Sequence, residues 1–208
     1  MLKKILSGVS AGILVSIGGA VFLGCMGEHS YDRYVGAALF SVALLCICMK
    51  GYALFTGRVG FLPEKHGREE LSVLFLALLG NWIGTLLCGA AVRQAVPSSG
   101  AAAEAMCLGK LAQSGGQTFL RALFCGVLMY LAVSIYRDQK SLVGVLFGIP
   151  VFILSGFEHS IADMFYFTAS GIVSWQAFAF IWIVILGNSV GGMLLPVLGM
   201  LGGEKTNG

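Results

Sequence analysis

The sequence predicts an all-α membrane protein with six transmembrane helices, built as an inverted 3+3 repeat in which helices 2 and 5 are broken. Three observations carry that expectation. Of 208 residues, 57% are hydrophobic and only 11% are charged, and a mean hydropathy of +0.88 lies well outside the range of ordinary soluble domains. Apolar stretches fall at about 5–25, 34–62, 71–93, 112–136, 142–172 and 175–201. Each can cross roughly 30 Å of hydrocarbon, which takes about 20 residues. A Gly-Asn motif occurs in the third stretch and again in the sixth.

The first stretch begins with Lys3 and Lys4 and stays apolar past Phe22. That run exceeds the roughly 7–15 residues of a signal-peptide core, and no small-x-small cleavage site interrupts it, so it reads as a span. The second and fifth stretches are too long for plain spans and carry glycines and polar residues midway. These are Lys50, Gly51 and Thr56 in one, and Gly156, Glu158, His159, Ser160 and Asp163 in the other. Each therefore reads as a broken helix. The third stretch contains Gly80-Asn81-Trp82-Ile83-Gly84 and the sixth Gly187-Asn188-Ser189-Val190-Gly191, so a broken span followed by a Gly-Asn span occurs twice. Such an echo is what an internal duplication leaves, with one repeat at about 1–95 and the other at about 108–203 of a single transmembrane domain, 1–208. Three spans per half is an odd number, so the second half enters the membrane upside down. In inverted repeats the broken helices face each other near the midplane, where transported solutes bind. The Gly-Asn pairs also suit close helix packing, with Asn bonded across an interface.

Positive residues collect in short cytoplasmic loops. With both termini inside, the inner segments hold Lys3, Lys4, Arg58, Lys65, Arg68, Arg137, Lys140 and Lys205, against Arg33, Arg93 and Lys110 outside. That asymmetry favours a multi-pass protein of the cell membrane with both termini cytoplasmic. The net charge of +3 is scattered, with no basic run to track a phosphate backbone, so nucleic acid is excluded as a partner. Six cysteines, Cys25, Cys46, Cys48, Cys88, Cys107 and Cys125, show no CxxC pair and no metal-site spacing, and read as small buried hydrophobes.

Polar groups at membrane depth are costly unless they are satisfied, and irregular backbone there survives only in protein or along a wet cavity. His29 and His66 fall in loops, which leaves His159 as the histidine at membrane depth. Imidazole both donates and accepts hydrogen bonds and exchanges its proton near neutral pH, so it can meet an anion or its conjugate acid.

The run Ser155-Gly156-Phe157-Glu158-His159-Ser160-Ile161-Ala162 resembles the signature of the fifth span in the formate/nitrite transporters. Leu54-Phe55-Thr56-Gly57 resembles that of their second span, and the Gly-Asn motifs and Leu131-Ala132-Val133 of span four fit in order and spacing. The resemblance implies an aquaporin-like fold and a homopentamer in the lipid bilayer, each protomer with its own pore for a small anion and protons. It implies neither enzyme activity nor a cofactor or metal. By motif, His159 matches the central pore histidine and Thr56 its partner on the opposite broken helix. Phe40, Leu44 and Leu54 match the inner constriction, Phe55 and Phe152 the outer one, with Met129 where a smaller residue often stands. Lys110 matches the basic residue of the outer vestibule.

The chain departs from the family pattern in several places. Gly126 replaces an asparagine in span four, Ala53 replaces an acidic residue, and Lys50 adds a positive charge one turn earlier that makes the inner side more attractive to anions. Asp163 replaces an asparagine and stands four residues after His159, a spacing that brings side chains together on a helix. Asp163, with Glu158 beside it, is thus a candidate partner of the imidazole; a helix cap or a bond to a neighbouring span is the alternative role of Asp163.

A bare anion loses its hydration in two apolar constrictions, whereas the neutral acid crosses at smaller cost. The expected route gathers anions at Lys110 and Lys50 and passes the acid after protonation near His159, with formate favoured over nitrite and hydrosulfide. Two rival classes fit the sequence less well. An aquaporin-like channel for small neutral solutes also suits facing broken helices, but no Asn-Pro dipeptide occurs. A haem-binding redox subunit needs paired axial ligands, for which His159 stands alone.

Overall fold

The computed structural model describes residues 1–26, 32–65 and 67–203. His29, His66 and Lys205, assigned to loops and to the inner side from sequence, lie outside the described residues. Those described form α-helices and one 3-10 turn, with no strand among them. Five helices are long and apolar enough to cross a membrane: α1 (Leu2–Met26), α2 (Arg33–Lys50), α4 (Arg68–Ala95), α6 (Gly115–Gln139) and α9 (Trp175–Leu201). Four shorter helices complete the set: α3 (Phe55–Arg58), followed by a 3-10 turn at Val59–Phe61, α5 (Pro97–Leu111), α7 (Val143–Leu154) and α8 (Ser160–Ser170).

The α5 helix lies between the third and fourth apolar stretches, where hydropathy marks no span. At 15 residues it is too short to span, and its Ala-rich middle favours helix through propensity rather than hydropathy. Pro97 sits at its start, where the missing N–H leaves nothing unpaired. The helix packs on α8 and carries Lys110 in its last turn.

Two helix pairs frame the molecule, α1 against α4 and α6 against α9. Glycine allows each to close. A Cβ on Gly12 of α1 would overlap the Asn81 carbonyl of α4, and a Cβ on Gly126 of α6 would overlap the Asn188 carbonyl of α9. Gly126, a departure from the resembled pattern in sequence, is thus one of the glycines, with Gly187 and Gly191, that let α9 approach α6.

Helices α2 and α7 end in the same way. Gly51 and Gly156 adopt the left-handed conformation, φ 68° and 70°, which only glycine takes without strain. Tyr52 N–H then donates to Ile47 O at 3.1 Å, and Phe157 N–H to Phe152 O at 3.0 Å, the long bond of a Schellman turn. A few extended residues follow before α3 and α8 resume. The buried apolar cluster runs continuously past these two interruptions and includes Phe40, Leu44, Leu54, Phe55, Met129 and Phe152.

Candidate functional site

Each interruption is clamped by an asparagine. Asn81 Oδ1 accepts the Phe55 N–H at 2.9 Å, while its Nδ2 donates to Gly8 O at 2.8 Å and Ala53 O at 2.9 Å. Asn188 does the same for the other: Oδ1 accepts from Ser160 N–H, and Nδ2 donates to Ala122 O and Glu158 O, all at 2.8 Å. Both amides are fully buried. Each satisfies the backbone groups that a broken helix exposes, which in hydrocarbon would otherwise cost several kcal/mol apiece.

His159 is the N-cap of α8. Its backbone is extended, φ −115° and ψ 113°, and Nδ1 accepts the Ala162 N–H at 3.2 Å. Accepting there assigns the ring proton to Nε2, which lies 2.8 Å from Thr56 Oγ1 in the first turn of α3. The Thr56 hydroxyl then accepts from the ring and keeps its own hydrogen for another acceptor. The two residues come from separate interruptions and are both buried. Phe152 stacks on the imidazole with centroids 5.6 Å apart and planes at 23°, and Phe40 meets Phe152 edge-on at 6.3 Å.

Two cavities flank this core. One of about 310 Å³ is lined by His159 and Phe152 together with Lys110, Gln113, Glu158 and Asp163. The other, of about 270 Å³, is lined by Leu44 and Leu54 and by Arg58, Lys65, Glu70 and Arg137. They share no lining residue, and Phe40, Phe55 and Met129 line neither. Those three belong to the packed apolar zone.

Lys110 reaches two carboxylates. Its Nζ contacts Glu158 Oε2 and lies 3.0 Å from Asp163 Oδ1, while Gln113 Nε2 donates to Glu158 Oε1 at 2.8 Å. The expected pairing of Asp163 or Glu158 with the imidazole is therefore corrected. Four residues along α8, Asp163 turns to the ammonium of α5, and His159 spends its nitrogens on Thr56 and the Ala162 backbone. Lys50 also departs from expectation: it ends α2 exposed and lines neither cavity. Sequence reasoning missed Gln113, an unremarkable loop residue until α5 places it, and the clamping geometry of the asparagines. A buried Asn carries two donors and two acceptor sites, and that requirement was the available signal.

The sequence profile of the formate/nitrite transporters matches residues 1–201. The chain belongs to the formate/nitrite transporter family.

Within the family it is 28% identical to the probable formate transporter of Methanothermobacter thermautotrophicus, over 92% of this chain and 85% of that protein. It is 26% identical to the nitrite transporter NirC of Escherichia coli, over 93% and 80%. Formate-nitrite transporter 2 of Toxoplasma gondii is 27% identical over 93% of this chain, which spans about half of that protein's length, 49%. Among solved structures, the fold matches an FNT family ion channel at a TM-score of 0.81 and 22% identity, over 97% of this chain and 90% of that one. It matches a pentameric formate channel with formate bound at 0.78 and 23% identity, over 98% of both chains. This family member is thus membrane-embedded and all-helical in its described residues.

Proposed function

We propose that this formate/nitrite transporter is a channel for small monovalent anions of weak acids, formate foremost, that carries them through its apolar zone as the neutral acid. The observation behind it is the Thr56–His159 hydrogen bond, a polar pair buried between two cavities that apolar side chains separate. An anion stripped of water meets a large penalty there, and the protonated acid a much smaller one. At the midpoint, the Thr56 hydroxyl hydrogen can donate to the solute while its oxygen is held by the Nε2–H of His159. The pair therefore tolerates an acid or its anion without moving the ring. No bond in the solute is made or broken beyond its proton, which is transport and not enzyme chemistry.

The protomer is read as six crossings in an inverted repeat, with α2–α3 and α7–α8 each counted as one. Support comes from the matched interruptions. Gly51 and Gly156, Leu54 and His159, and Phe55 and Ser160 are each separated by 105 residues, and each set is clamped by its own asparagine. Both termini face the cytoplasm of the cell membrane on the distribution of Lys and Arg. The Leu54 cavity then opens inward and the Lys110 cavity outward. Five protomers assemble, as in the pentameric formate channel that shares the fold, and each is read as carrying its own pore.

Uptake into proteoliposomes tests the proposal, with formate, nitrite and hydrosulfide as solutes and acetate and chloride as controls. Formate should enter fastest and chloride not at all. Equal rates for chloride and formate would contradict passage as a neutral acid. Native mass spectrometry should give five protomers, and a stable monomer would rule out the assembly.

A further inference from the structure

We propose that Asp163 and Glu158 share one exchangeable proton, held on Asp163 Oδ2 and passed to the anion entering the Lys110 cavity; this role rests on the transport function proposed above. Two buried carboxyl groups face one ammonium there. Glu158 is 2% exposed and Asp163 1%. Three of their four oxygens are accounted for: Glu158 Oε2 and Asp163 Oδ1 meet Lys110 Nζ, and Glu158 Oε1 accepts from Gln113. Asp163 Oδ2 is buried and has no hydrogen-bond partner.

An ionised oxygen left bare in such a site carries an unmet desolvation cost, and two like charges on one counter-ion cannot both be balanced. A proton on Oδ2 removes both problems. It also turns the orphan acceptor into a donor on a residue that lines the same cavity as His159. With that proton the cluster is neutral, one ammonium against one carboxylate; without it, the cluster is anionic and repels the solute it should admit.

Among the described residues, the surrounding elements supply no second cation at contact distance. Around Asp163 stand Lys110 and Cys107 of α5, Glu158 and His159 before α8, Tyr166 one turn on, and Cys125 of α6. Arg33 and Arg121 lie elsewhere on the cavity wall with exposed side chains, where water screens them. Of the other helices packed on α8, α4 brings Arg93 against Gly171 at the far end of α8, and α9 has no titratable side chain. The titratable side chains of α1 are Lys3, Lys4 and Cys25, and those of α3 are Arg58 alone.

In the transfer the Oδ2–H bond breaks as a bond to hydrogen forms on the anion. The electron pair left on Oδ2 restores the carboxylate beside Lys110, and a proton from cavity water resets the pair. The neutral acid then moves on past Phe152 to the Thr56–His159 pair.

Infrared spectra of the purified protein in phospholipid vesicles near neutral pH test the shared proton. The wild type should show a protonated-carboxyl C=O band that shifts in deuterated water. Asp163→Asn and Glu158→Gln should each lose it, because either leaves a single acid opposite Lys110, whereas Glu104→Gln on the exposed face of α5 should keep it. A missing band in the wild type, or a band that survives in either cluster variant, overturns the proposal. If Asp163→Asn fails to assemble, the wild type and Glu158→Gln still decide. Formate uptake by the same vesicles separates the two levels. Flux without the band leaves transport standing and removes the shared proton; the band without flux removes transport and, with it, the hand-over.

Discussion

The two helix interruptions share a scaffold and differ in chemistry. Gly51 and Gly156 turn the chain alike, and Asn81 and Asn188 clamp it with the same three bonds. At matching positions, however, one places Leu54 in the buried apolar cluster and the other carries His159. The backbone solution to breaking a helix in a membrane is thus separable from what the break displays. Leu54 needs no hydrogen-bond partner and only packs. His159 needs two, and obtains them from its own helix and from Thr56 of the other interruption.

Breaking the shared part should do most damage, equally on both sides. Asn81→Ala and Asn188→Ala each strip buried backbone groups of partners, at about 1–3 kcal/mol per orphaned group. Little folded protein should survive detergent extraction, as gel filtration would record. A large difference between the two variants would show that the clamps are not equivalent. Gly12→Ala and Gly126→Ala come next, because a methyl at either position drives helix backbones apart; overpacking of this kind costs about 1–3 kcal/mol and should lower Tm in both.

The asymmetric part should affect transport and spare assembly. His159→Leu copies Leu54 into the second interruption, leaving an apolar passage with no ring donor. Loss of about 2–3 kcal/mol of stabilisation at the midpoint predicts formate flux down about 30- to 150-fold with the oligomer intact. Thr56→Val removes the hydroxyl alone and should lower flux about tenfold, the equivalent of about 1.4 kcal/mol. Lys50→Ala should have the smallest effect, less than about twofold, because an exposed charge is screened within roughly 10 Å at ordinary salt. A larger loss would return Lys50 to the conduction path.

Much of this was legible in sequence for physical reasons. Hydropathy exposes long apolar helices, and a histidine flanked by Glu158 and Ser160 in such a stretch has no apolar explanation. Glycine beside polar residues inside an apolar stretch marks where a helix stops, which is how Gly51 and Gly156 can be picked out. What stayed hidden depends on elements apart in sequence. Helix α5 has neither the length nor the hydropathy of a span, so Gln113 and the second carboxylate on Lys110 could not be foreseen. Asp163 was assigned by spacing alone, four residues from His159, and spacing does not reveal that an ammonium 53 residues earlier in the chain competes for it. Gly126 stands in sequence only as a replaced asparagine, and the close approach of α9 gives it a reason.

The decisive test is formate flux in proteoliposomes where a pH gradient and a membrane voltage are imposed separately. If the Thr56–His159 pair sits in a passage crossed by the neutral acid, uptake follows the pH gradient, is nearly indifferent to voltage and collapses in His159→Leu. Uptake that follows voltage, ignores the gradient and persists in that variant would mean that the bare anion crosses by a path the imidazole does not control.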